Sequence, residues 1–168
     1  MLHPNVSKLL NDQINKEMFS AYLYLDMANY YINKGLTGFA NWFNVQAREE
    51  MDHAIFFIQY LQNNDHEVVL EAIDKPSRSY QEFDEPLKEA LNHEHLVTAS
   101  IHAIYKEAEK NNDYRTTTFL NWFVKEQGEE EKNANDLIVK YAWAKNNLFL
   151  LDKELLARVY VQPTLVLN

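Results

Sequence analysis

Apolar side chains recur three and four positions apart over four stretches of about 28 to 33 residues each, the period of an amphipathic helix. The first runs from about Asn5 to Asn33 and stops before Gly35; the second starts near Thr37 and Gly38 and fades at Asn63 and Asn64. The third is expected to begin between Ser79 and Asp84, where Ser79 and Glu82 have capping-box spacing and Pro86 fits only a first turn. It ends at Asn111, Asn112 and Asp113, and Asp113 is placed to cap a fourth helix reaching about Lys145. Short links within each successive pair predict two antiparallel hairpins. Between them, Asp65 to Gln81 carries an apolar patch (Val68, Val69, Leu70) and Pro76. Its roughly 17 residues can cross a bundle whose helices are ~42 Å long. Leu148 to Tyr160 reads as a fifth, shorter helix with Leu148, Leu151, Leu155 and Val159 on one stripe, followed by Pro163 and an apolar tail. The expected fold is all-α: one domain over residues 1–168, with a four-helix bundle at about 5–145, a long crossover between its hairpins and a short C-terminal helix at about 148–160.

The core stripes contain residues that do not belong in a dry interior. In the first helix the stripe Leu10, Ile14, Ala21, Tyr24, Ala28 is interrupted by Glu17. In the second, Phe43, Ala47, Ala54 and Phe57 are interrupted by Glu50, with His53 one turn further on. Glu94 breaks the third series (Leu87, Leu91, Thr98, Ile101, Tyr105), and Gln127 and Glu130 break the fourth (Leu120, Phe123, Ala134, Leu137). One such residue would be an acid at a stripe's solvated edge. Together they coincide: the helix midpoints fall near about residues 19, 50, 96 and 129, so in antiparallel helices all the interruptions meet at one height. Glu17 to Glu94, Glu50 to Gln127 and His53 to Glu130 also share one separation, which gives the two hairpins a pseudo-symmetry.

Ionised carboxylates cannot share a dry core, since each costs several kcal/mol to desolvate and repels the others. No Lys or Arg interrupts the four stripes to neutralise them, which argues against a purely structural charge network. A multivalent cation resolves the conflict, and hard oxygen donors with one imidazole suit iron, manganese or zinc. Four Glu and one His serve two metals better than one, with Glu50 the natural bridge. Because Gln127-x-x-Glu130 lacks a His, the two positions are expected to be unequal.

Composition narrows the choice of chemistry. With no Cys, thiolate zinc sites, iron–sulfur clusters, disulfides and thiol catalysis are all excluded. Gly 3 and Pro 4 leave few chain breaks, while 13% aromatics and 46% apolar residues supply a core. A net charge of −9 disfavours nucleic acid and favours cations. The first residues show no signal-like pattern and no stretch is apolar enough to span a membrane, so a soluble cytoplasmic protein without a membrane partner is expected.

The runs Gln13-Ile14-Asn15-Lys16-Glu17, Tyr22-Leu23-Tyr24, Ala47-Arg48-Glu49-Glu50-Met51-Asp52-His53, His93-Glu94 and Glu126-Gln127-Gly128-Glu129-Glu130-Glu131-Lys132, in this order, make the chain resemble the bacterial non-haem ferritins over nearly its full length. The resemblance implies a homo-oligomeric cage of 24 subunits that acts as a ferroxidase, oxidising Fe(II) with O2 or peroxide and storing ferric mineral. It assigns Glu17, Glu50 and His53 to one iron and Glu50, Glu94 and Glu130 to the other, with Gln127 as a nearby hydrogen-bonding residue. It further implies a third iron position on Glu49, Glu126 and Glu129, with Glu130 shared, and an electron-donating role for Tyr24. Met51 precedes His53 as an axial Met does in haem-binding relatives, but Glu130 stands where those carry His, so no haem is expected. The main alternative is a non-storage di-iron oxidase or peroxide-reducing enzyme. The lack of Cys argues against the electron-fed peroxide reductases, and a ligand set complete within one chain argues against mini-ferritins.

Overall fold

Pro4 opens the first helix, where its missing N–H is not needed, and the Nδ1 of His3 accepts from the Asn5 N–H at 3.3 Å as its cap. The computed structural model describes residues 2–76 and 79–165; the last residues of the apolar tail, 166–168, lie outside this set. It contains α1 (Pro4–Asn33), α2 (Thr37–Asn63), α3 (Glu85–Lys110), α4 (Tyr114–Ala144) and α5 (Phe149–Leu155), and no strand among the described residues. Helices α1 and α2 form one hairpin, α3 and α4 the other, and α1 lies beside α3.

Three helices end alike. Leu36 N–H bonds to the Tyr31 carbonyl and Gly35 N–H to that of Ile32, closing α1 in a Schellman turn with Gly35 at φ +75°. The same pair of bonds closes α2 with Asp65 at φ 56° and α3 with Asn112 at φ 55°. Asp113 caps α4 as expected, accepting from the Thr116 N–H at 3.1 Å. The crossover runs along α1, where Asn11 exchanges two hydrogen bonds of 2.9 Å with the backbone of Val69 and Asn15 donates to the Ala72 carbonyl at 3.0 Å.

Two expectations are corrected. The Ser79–Glu82 capping box does not form: Glu85 accepts from the Gln81 N–H at 2.6 Å and the Glu82 N–H at 3.4 Å. The chain therefore turns before the helix, and α3 starts at Glu85 with Pro86 in its first turn. The fifth helix ends at Leu155, well short of Tyr160, and Val159 is exposed. There, Asn41 Nδ2 donates to the carbonyls of Leu155 and Arg158 at 3.1 and 2.9 Å, drawing the chain out of the helix and along α2.

Helix α2 has Leu36 at its N-cap, a side chain that cannot accept a hydrogen bond. Asp152 of α5 supplies the cap instead, its Oδ1 accepting from the N–H groups of Gly38 at 2.8 Å and Phe39 at 3.1 Å. A Cβ at Gly38 would lie 1.7 Å from the Asp152 carbonyl oxygen, so only Gly permits this approach.

The core is split in two. One apolar cluster includes Ile14, Ala54, Val97 and Phe123; the other includes Leu23, Ala47, Ala90 and Leu137. On every long helix, the residues that interrupt the stripes lie between these clusters.

Candidate metal centre

Glu17, Glu50, His53, Glu94, Gln127 and Glu130 are all at most 4% exposed. One ligand atom each from Glu17, Glu50 and His53 lies within 4.8 Å of the others, and a second such group joins His53, Glu126 and Glu130. His53 Nδ1 is 3.4 Å from Glu50, one helical turn back, and His53 Nε2 is 3.9 Å from half-buried Glu126. The ring is wedged edge-on against Trp122 and Phe123, which holds it in place from α4.

Three glutamines pin three of the carboxylates. Gln13 Nε2 donates to Glu17 at 2.7 Å, Gln46 Nε2 to Glu130 at 2.7 Å and Gln127 Nε2 to Glu94 at 3.0 Å. Gln13 is held in turn, its oxygen accepting from the Ser100 hydroxyl at 2.6 Å. The Tyr24 hydroxyl donates to the other oxygen of Glu94 in a very short contact. What remains without a hydrogen bond is Glu17 Oε2, Glu50 Oε1 and both ring nitrogens of His53. Buried atoms of this kind are normally satisfied. Unsatisfied and gathered in one place, they could hold a cation that takes oxygen and imidazole ligands.

The electrostatics agree. Burial, followed by repulsion from Glu94, Glu17 and Glu130, raises the Glu50 carboxyl well above its ordinary range. Burial, then Glu94, pushes Glu130 up to about 8. Glu94 is also raised by burial, against the opposing hydrogen bonds from Tyr24 and Gln127. Burial and the surrounding carboxylates, Glu94 first, raise the Tyr24 hydroxyl and favour its neutral form. A divalent cation bound among these carboxyls would oppose the shifts, because it favours their ionised forms.

The outer acids are less convergent. Glu126 reaches the second group, Glu129 is exposed, and Glu49 makes a 2.8 Å ion pair with Arg158. Sequence reasoning missed Gln13, Gln46 and Arg158. The first two were detectable, since each lies four residues before a core Glu on the same helical face. No periodicity points to Arg158, which lies beyond the last helix.

Four long helices around a mid-height band of carboxylates and one His define the class: a four-helix bundle with a carboxylate-lined centre. The Ferritin family profile, a ferritin-like domain, matches residues 7–142. A probable bacterial non-haem ferritin-like protein of Haemophilus influenzae is 37% identical over 158 residues, spanning 92% of this chain and 96% of that protein. A bacterial non-haem ferritin of Campylobacter jejuni is 36% identical over 156 residues, 91% and 93% of the two chains. Among solved structures, the open-pore ferritin of Archaeoglobus fulgidus aligns with a TM-score of 0.92 at 37% identity, over 95% of this chain and 100% of that one. An engineered closed form of the same ferritin gives 0.93 at 36% identity, over 96% and 100%. The chain belongs to the ferritin family, among the bacterial non-haem ferritins.

Proposed function

We propose that this protein is an iron store with ferroxidase activity, built as a homo-oligomeric cage of 24 subunits in the cytoplasm. Membership in the ferritin family supports iron storage. The observation that carries the ferroxidase reading is the set of buried, unsatisfied ligand atoms on Glu17, Glu50 and His53, with no buried Lys or Arg among the described residues. Fe(II) is then substrate and cargo. Glu17, Glu50 and His53 take one ion, and Glu50, Glu94 and Glu130 take its neighbour. Each Fe(II) gives up one electron. Two electrons and two protons convert O2 to hydrogen peroxide, or peroxide to two waters.

The chain's own part is placement and proton handling. Gln13, Gln46 and Gln127 each hold one carboxylate oxygen, which limits the positions its partner oxygen can take. The carboxyls raised by burial release protons as Fe(II) binds. Tyr24, neutral and bonded to Glu94, is the nearest candidate for an auxiliary electron donor.

Replacing Glu50 or His53 with Ala is expected to slow the rapid phase of Fe(II) oxidation at least about 10-fold, since even residues that merely support a metal ligand can matter that much. Stopped-flow absorbance under air measures it. An unchanged rate would remove these residues from the site.

A further inference from the structure

The tail beyond α5 does not end at the bundle's rim. It lies along α2, anchored residue by residue. The Arg158 guanidinium stacks on the Trp42 ring at 4.8 Å from its centroid, and Nη1 donates to the Trp42 carbonyl at 3.3 Å. The Tyr160 hydroxyl donates to the Asp52 carboxylate, while the Arg48 guanidinium sits 4.9 Å from the Tyr160 ring centroid. Leu165 packs on the apolar cluster that contains Ala54 and Phe123. Together with the bonds from Asn41, these contacts bring Arg158 beside the metal centre.

Arg158 Nη2 donates there to two acceptors: the side-chain oxygen of Gln46 in a short contact, and Glu49 at 2.8 Å. A guanidinium can only donate, so Gln46 must present its oxygen to Arg158 and its amino group to Glu130. The ion pair is partly enclosed, with the two side chains 23% and 17% exposed. Consistent with that engagement, Glu49 is absent from both groups of converging ligand atoms, whereas Glu126 joins one of them.

Resting on the ferroxidase reading above, we propose that Arg158 is a built-in cation: it occupies the carboxylate of Glu49, closing a third metal position there, and through Gln46 positions Glu130 at the centre. Arg158 is thus a positioning and capacity-setting residue that touches no metal itself. The number of ions held next to the centre is set by the tail, as well as by the four helices.

The test counts metal on the full-length, chelator-stripped protein under argon, using Co(II) as the probe and following both stoichiometry and the visible cobalt spectrum. The wild-type chain is expected to bind two Co(II) per subunit, and Glu49→Gln is expected still to bind two, because that carboxylate is already engaged. Arg158→Ala should bind a third ion and alter the spectrum of the first two, since Glu130 loses its fixed partner. Arg158→Lys should restore a count of two, and the double variant Arg158→Ala with Glu49→Gln should also return to two. Three ions on the wild-type chain, or fewer ions on Glu49→Gln, would overturn the inference and leave the ferroxidase reading standing. Two ions and an unchanged spectrum with Arg158→Ala would do the same. If Arg158→Ala does not fold, the Glu49→Gln count decides alone. No Co(II) bound by the wild-type chain would overturn the ferroxidase reading and this inference together.

Discussion

At the scale of single residues, the site is a compromise between burial and charge. Glu130, pushed up to about 8 from an ordinary 4.5, keeps its proton in the folded chain over a pH range where the unfolded chain has lost it. Glu50 and Glu94 shift in the same direction. A raised carboxyl favours the folded state fully below the unfolded value, and that contribution is lost as pH climbs through the folded one. Metal-free protein is therefore expected to lose thermal stability between about pH 5 and about pH 8, and divalent metal is expected to restore it at the upper end. Melting of chelator-treated samples across that range checks the sign. A midpoint that rises with pH in the absence of metal would show that these carboxyls are not held as described.

At the scale of elements, α5 is a clasp. Its Asp152 caps α2, and its approach requires Gly38. Gly38→Ala would force the Asp152 backbone away and is expected to cost about 1–3 kcal/mol, as overpacking does. It should also release the tail, exposing residues 156–165 to limited proteolysis; wild-type protection together with an unchanged melting midpoint would contradict the clasp. The four long helices were legible from periodicity because each buries a continuous stripe, and their limits follow from turn residues close by in sequence. The end of α5 was not, since it is imposed by Asn41, more than a hundred residues away. The start of α3 was misread because Glu85 outcompetes Ser79 and Glu82 for the turn's N–H groups. In the same way, Glu17, Glu50, His53, Glu94, Gln127 and Glu130 stood out as interruptions of an apolar pattern. Arg158 interrupts nothing, and its role exists only once the tail has folded back. Gly128, which costs helix propensity in α4, has open space beside it, so close packing does not explain it.

At the scale of the whole molecule, the subunit displays apolar surface that its own helices do not cover. Trp143 is 82% exposed, and Phe149, Leu150, Val159 and Val161 are each above 70%. A single subunit with so much exposed apolar area is expected to associate. Light scattering after gel filtration should find one large species, and Trp143→Asp combined with Leu150→Asp should shift it towards smaller ones. No helix among the described residues is long and apolar enough to cross a membrane.

The most direct test of an iron store is the number of irons the particle keeps. Metal-free protein is mixed with excess Fe(II) in air and gel-filtered, and the iron that co-elutes is counted per subunit. Many irons per subunit on a large particle are expected. About two per subunit, the capacity of the centre alone, would contradict storage and leave a di-iron enzyme; none would mean that the buried carboxylates hold no iron.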